Sequence, residues 1–170
     1  MSGHLKVGIE FSRASRGLSE ATLQKIDEAI ARYPEKRSAL LPALWLAQRE
    51  QGFCSIEAQK QIAEKIGVSA AYVAGVVSFY TMFHTQPVGR HVMDVCTTVS
   101  CWLRGSDELV QHLEQKLGIK AGETTPDGRI TLRTVECLGS CGTAPMCQIN
   151  DDYHEDLTFE KIDRILERMK

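Results

Sequence analysis

The sequence predicts an α+β protein in two parts: a four-helix region over residues 19–86 and a small α/β domain over residues 87–170. Three observations carry this. Apolar residues recur at helical spacing from Leu23 to Phe83, with capping and breaking residues between the runs. After Pro87 and Gly89 the chain changes to short β-prone segments separated by amphipathic helices. Two cysteine pairs, Cys96-x4-Cys101 and Cys137-x3-Cys141, each follow a β-prone run.

Residues 1–18 read as an N-terminal extension. It lacks the apolar core of about 7–15 residues that a secretory signal carries. Arg13, Arg16 and the serines give it a weak transit-peptide character, against which Glu10 counts. A cytosolic compartment is the expectation, and there the six cysteines are expected as thiols or metal ligands rather than disulfides.

In the first part, Ser19 is placed to cap a helix carrying Leu23, Ile26 and Ile30, which Tyr33-Pro34 stops. A second helix over roughly 35–51 has Leu40, Leu41, Leu44 and Trp45 on one side. Pro42 starts or kinks its regular part, and Gly52 ends it. A third, over about 55–65, carries Ile56, Ile62 and Ile66 and closes at Gly67. Ser69 caps a fourth, over 70–83, which is apolar nearly all round and so is expected to be buried on most faces. No formally charged residue falls between Ile66 and Gly89. The apolar core of that stretch is short and interrupted by Ser78 and Thr81, so a core helix is expected rather than a membrane span.

In the second part, His91–Val95 reads as a strand ending at the first cysteine. An amphipathic helix follows over 106–117, with Leu109, Val110, Leu113 and Leu117 inward and Gly118 as its stop. Pro126-Asp127-Gly128 signals a turn, and 129–136 alternates as a strand. Residues 146–149 and 153–157 read as a hairpin around Asn150-Asp151-Asp152. Thr158 caps a last helix with Phe159, Ile162, Ile165, Leu166 and Met169 at helical spacing. The order is β-α-β, then a hairpin and a helix.

Four thiolates are the usual complement of an iron–sulfur cluster, and a [2Fe–2S] cluster takes two at each iron. Cys96 with Cys101, and Cys137 with Cys141, supply two such pairs. Gly105, Gly139 and Gly142 allow close backbone approach, and Val95, Val99, Trp102, Leu103 and Leu138 are candidates to exclude water. Structural zinc also tolerates close cysteine pairs, though less readily with 35 residues of α/β structure between them. A thiol-redox role normally shows C-x-x-C, which is missing here. Cys54 and Cys147 stand outside the pairs and read as buried structural thiols. Arg104 is placed either to offset a cluster's negative charge or to pair with Asp107 or Glu108.

The runs CTTVSCWLRG (96–105) and ECLGSCGTAP (136–145), followed by NDDY (150–153), resemble the thioredoxin-like [2Fe–2S] ferredoxins. Within that family they look like the branch that contains the 24 kDa subunits of respiratory complex I. The helical segments KRSALLPAL (36–44) and GVVSFYTMF (75–83) agree, so the likeness covers roughly residues 19–170. The resemblance implies a four-helix region followed by a thioredoxin-like α/β domain, with Cys96, Cys101, Cys137 and Cys141 as ligands of a [2Fe–2S] cluster. It implies electron transfer within an NADH:quinone oxidoreductase, beside a larger subunit that carries FMN and the NADH site and with further iron–sulfur subunits. It also implies the peripheral arm of a membrane complex on the cytoplasmic side, without membrane insertion of this chain. Similar modules serve NAD-linked hydrogenases and formate dehydrogenases. The chain itself is expected to bind neither NADH nor quinone, and it has no Gly-rich dinucleotide fingerprint. Cys54 and Cys147 depart from the family, which more often has aliphatic residues there.

A rival of another class is an iron–sulfur helix-turn-helix regulator, since residues 61–79 fit that pattern. Its second helix, however, opens with Ala70, Ala71, Tyr72, Val73 and Ala74, which cannot read base edges. No formally charged residue follows before Arg90, so phosphate contacts are not supplied either. The net charge of −2 points the same way, and no nucleic-acid partner is expected.

Overall fold

A computed structural model describes residues 17–169; the expected extension lies outside the described residues as far as residue 16, as does residue 170. The chain divides into two compact units, one ending at Pro87 and the other beginning at Val88.

The first unit is helical: α1 (Glu20–Ile30), a 3₁₀ turn (Lys36–Ala39), α2 (Leu40–Gln51), α3 (Ile56–Ile66) and α4 (Ala70–Phe79). Ser19, Ser55 and Ser69 cap α1, α3 and α4, their hydroxyls accepting from the backbone N–H of Thr22, Ala58 and Tyr72. Gly52 and Gly67 end α2 and α3 in the left-handed conformation. Pro42 lies in the first turn of α2, where its missing N–H breaks no helical bond, so it starts the regular helix as expected. Ile26, Leu44, Ile62, Val73 and Val77 meet in the core.

Two expectations fail here. α4 stops at Phe79 rather than Phe83, and only Val73 and Val77 on it are buried. Tyr72 is exposed, and Phe79 is 77% exposed. A helix that is apolar all round presents no pattern from which the covered side can be read, and α4 buries one narrow seam. Ile56 is likewise 72% exposed at the first position of α3. Beyond α4, the chain is held by a buried glutamine in place of further helix. Gln48 Nε2 donates to the Met82 carbonyl (2.8 Å) while its Oε1 accepts from the His84 N–H (2.7 Å). The Cys54 N–H closes the arrangement on the His84 carbonyl. Among the described residues no single helix is long and apolar enough to cross a membrane. α3 and α4 together reach the length but are bent by 118°.

The second unit runs β1 (His91–Cys96), α5 (Val99–Leu103), α6 (Ser106–Leu117), β2 (Ile130–Val135), β3 (Cys147–Ile149), β4 (Asp152–His154) and α7 (Phe159–Arg168). The sheet order is β2-β1-β3-β4, with β1 and β2 parallel and the other pairs antiparallel. In the parallel pair, His91 stands opposite Ile130 and Cys96 opposite Val135. Met93, Leu113, Ile130, Leu132 and Ile162 form its core. Together the two units give the expected α+β class.

Here the structure corrects three details. α5 interrupts what reads as a loop after β1. β4 covers Asp152–His154 rather than 153–157. In β2, Thr131 is buried along with Ile130 and Leu132, which breaks the expected alternation. Its hydroxyl is satisfied by the Gly89 N–H (2.6 Å) and by the Thr124 hydroxyl (2.7 Å), so a polar side chain sits inside without penalty.

Candidate metal centre

Parallel pairing of β1 and β2 sends the segments that follow both strands out at the same end of the sheet. They stay joined beyond it. Thr97 N–H donates to the Val135 carbonyl (3.0 Å) and Thr98 N–H to the Glu136 carbonyl (3.1 Å). The Thr97 hydroxyl repeats the first contact at 3.2 Å, and the Thr98 hydroxyl also donates to Glu136. Cys96, the last residue of β1, is thereby held alongside the segment that carries Cys137. Cys101 lies in α5, not in a loop, one turn after Thr98. Cys141 opens a 3₁₀ turn, Cys141–Thr143. Gly105 and Gly139 take left-handed conformations (φ 88° and 79°), the first turning α5 into α6 and the second reversing the chain between Cys137 and Cys141. Gly142 does not need that conformation.

The four thiols differ in environment. Cys96 and Cys101 are buried and pack with Ala144, Met146 and, at the margin, Leu138, whereas Cys137 and Cys141 are exposed. Burial raises the pKa of Cys96. Hydrogen bonds with Thr98, with the Leu138 backbone and with Cys101 outweigh it and hold this thiol below its ordinary range. Cys101 is pushed up to about 11, first by burial and then by its contact with Cys96. The charges of Cys96 and Cys141 add to the rise, while the Met146 backbone opposes it. Within this pair Cys96 ionises first and Cys101 holds its proton longer. The donors around Cys96 favour its thiolate, the form that binds metal. The Gly139 N–H points at the sulfur of Cys137 (3.4 Å).

Among the described residues no three His, Cys, Asp or Glu side chains gather into a site for one metal ion. A [2Fe–2S] cluster asks for something different, two thiolates at each of two irons. Cys96 and Cys101 touch, Cys141 lies within electrostatic reach of Cys101, and backbone N–H groups face the sulfurs of both segments. The donor set is all sulfur, and its inner half is dry. These residues fit the group.

Several neighbours do not behave as the sequence suggests. Val95 is buried, but Val99, Trp102 and Leu103 are 64%, 55% and 72% exposed and do not cover the cysteines. α5 is a single short surface turn, and the residues beside Cys101 on it point outward. The Trp102 indole N–H instead donates to Asp107 (3.0 Å). Arg104 takes a third role: its Nε donates to the Ala144 carbonyl (3.3 Å), tying the end of α5 to the second cysteine segment. That segment is also gripped from the hairpin side. Tyr153 donates to the Leu138 carbonyl (2.7 Å), Glu155 accepts from the Ser140 and Thr143 hydroxyls, and the Asp156 and Leu157 N–H groups donate to the Thr143 and Pro145 carbonyls. Sequence reasoning misses Thr98, Tyr153 and Glu155. The hydroxyl two residues after Cys96 is the only one of them with a local signal. Cys54 and Cys147, outside the two pairs in sequence, are both fully buried, and burial is first among the causes that push both up to about 12.

The family model of thioredoxin-like [2Fe–2S] ferredoxins matches residues 26–170. An NADH-quinone oxidoreductase subunit of Rhizobium meliloti (strain 1021), the second of its E type, is 48% identical over 147 residues, 86% of this chain and 88% of that protein. The E-type NADH-quinone oxidoreductase subunit of Rickettsia conorii is 45% identical, with 87% and 90% covered. The mitochondrial NADH dehydrogenase [ubiquinone] flavoprotein 2 of Dictyostelium discoideum is 40% identical across this whole chain and 70% of its own. Among solved structures, an NAD⁺-reducing [NiFe]-hydrogenase in the air-oxidized state superposes with a TM-score of 0.68 at 26% identity. The match covers 76% of this chain and only 22% of that one. A family model that runs through both cysteine segments, and relatives that share up to nearly half their residues with it, make this chain a member of the thioredoxin-like [2Fe–2S] ferredoxins.

Proposed function

We propose that this chain is the electron-transfer subunit of an NADH:quinone oxidoreductase, with Cys96, Cys101, Cys137 and Cys141 as the ligands of its [2Fe–2S] cluster. The carrying observation is the zipper of Thr97 and Thr98 onto Val135 and Glu136, which brings two cysteine segments 35 residues apart in sequence to one end of the sheet. When bound, the cluster supplies storage for one electron. The chain supplies the rest. Residues 87–170 form the cluster domain and 19–86 a helical domain beside it in sequence. Thr98, Leu138, Gly139 and Met146 aim hydrogen-bond donors at the sulfurs, a lever on reduction potential. Leu138, Ala144 and Met146 keep water from the inner pair.

The outer pair is exposed, and so are Val99, Trp102 and Leu103, an apolar patch at i, i+3, i+4 on the helix that carries Cys101. This is the surface on which the larger, FMN- and NADH-binding subunit docks, so that the exposed side of the cluster is covered by the protein that exchanges electrons with it. Further iron–sulfur subunits complete the assembly, in the peripheral arm on the cytoplasmic side. A second reading, the equivalent subunit of an NAD-linked hydrogenase, draws on the structural likeness to part of the NAD⁺-reducing hydrogenase. The three relatives named above favour the quinone-reducing complex.

Purified protein is expected to be reddish-brown and to give an EPR signal on one-electron reduction. Cys137→Ala abolishes the stable cluster, while Cys54→Ala leaves its spectrum unchanged. A colourless preparation loaded with zinc sinks the reading. Co-purification with mass spectrometry of the partners separates the two complexes.

A further inference from the structure

Outside the cysteines, one carboxylate gathers the hydroxyls of the second cysteine segment. Ser140 and Thr143 bracket Cys141-Gly142, and both hydroxyls converge on the Glu155 carboxylate, the Thr143 bond at 2.6 Å. The two hydroxyls also lie 2.9 Å from one another, and the Thr143 N–H closes on the Ser140 carbonyl. Together these contacts fold residues 140–143 around one anionic point. Glu155 is itself anchored. It follows β4 directly, and the Lys161 ammonium on α7 binds its carbonyl and that of Asp156 at 2.9 and 3.1 Å. The hydroxyl bonds hold its carboxyl below the usual range, so it is charged at neutral pH.

Other contacts hold the flanks of this segment, at the Leu138, Thr143, Ala144 and Pro145 carbonyls, but none of these is made by Cys141 itself. Cys141 is exposed, its 3₁₀ turn is one turn long, and no side chain caps that turn. A ligand on such a turn is free to shift unless an outside group sets it, and metal sites depend on groups that orient the ligands. We propose that Glu155 is the positioning residue of this segment: through Ser140 and Thr143 it fixes where the Cys141 sulfur meets the cluster. The proposal rests on the reading of Cys141 as a ligand. A carboxylate here also places a fixed negative charge next to the site, which opposes the electron that the cluster takes up.

The test compares the full-length holoprotein with three variants. Glu155→Gln keeps an oxygen that accepts both O–H bonds but removes the charge. It should retain wild-type EPR line positions and chelator resistance while its midpoint potential rises, the reduced fraction at fixed potential growing several-fold. Glu155→Ala removes anchor and charge together. It should shift the EPR lines and lose visible absorbance to a chelator several-fold faster. Ser140→Ala/Thr143→Ala leaves Glu155 in place but unattached, and should reproduce the EPR shift even if Glu155→Ala fails to fold. Wild-type EPR lines and chelator half-life in both the alanine variant and the double variant would overturn the proposal. Retention of an unaltered cluster by Cys141→Ala would instead overturn the ligand assignment beneath it, and the two failures are distinguishable.

Discussion

At the scale of single residues, the positions that matter most are those where chain meets chain. Gly89 is one. A Cβ there would stand 2.8 to 2.9 Å from the backbone of Ile130 and Thr131, atoms that cannot yield, and its N–H is bonded to the Thr131 hydroxyl. Gly89→Ala is therefore expected to cost about 2 kcal/mol or more, measured by urea denaturation, since it forces β2 away from the start of β1. In the sequence Gly89 reads only as a break after Pro87. That it lies against a strand some forty residues later is invisible until the parallel pairing is known. The same holds for Glu155. Its partners Ser140 and Thr143 are reached through a hairpin, so neither spacing nor periodicity points to them. The four paired cysteines are the opposite case. Their spacing and glycine context are local, and they stand out at once.

At the scale of elements, what reads well is what obeys a period or a cap. Ser19, Ser55, Ser69 and Thr158 all cap helices with their side chains, and Gly52, Gly67 and Gly118 all end them. α5 could not be read this way: five residues give no full period, and Thr98 before it makes no side-chain cap. α4 shows the other limit. Val73 and Val77 touch the core, and Phe79 does not, although all three lie in one apolar run. Val77→Ala should lower stability by about 2 kcal/mol through the cavity it leaves. Phe79→Ser should change it by no more than about 0.5 kcal/mol, as an exposed substitution. Paired chemical denaturation curves check both; equal losses would mean that α4 is packed on both sides in solution.

At the scale of the whole molecule, each compact unit has a core of its own, one drawn from Leu18 to Phe83 and the other from Met93 to Met169. The four cysteines proposed as ligands all lie in the second. Removing the iron anaerobically should therefore lower the thermal transition of residues 88–170 and leave that of the helical unit in place. Differential scanning calorimetry of holo and apo protein reads this directly, and a common shift of both transitions would contradict it. The fold class was legible at this scale because the change of period at Pro87 is abrupt. The strand order was not, because β3 inserts next to β1 only through long-range pairing.

The parallel pairing of β1 and β2 also sets an order in time. The first two thiols leave the ribosome well before the last two, and parallel strands need the intervening crossover before they can meet. No nascent chain shorter than Cys141 can offer the full donor set, and even a complete chain offers it only once Thr97 and Thr98 have zipped onto Val135 and Glu136. On the proposed ligand set, insertion of the cluster is expected only after the β1–β2 pairing has formed. A cluster seated there then closes a loop of 35 intervening residues and resists the local opening that would release it.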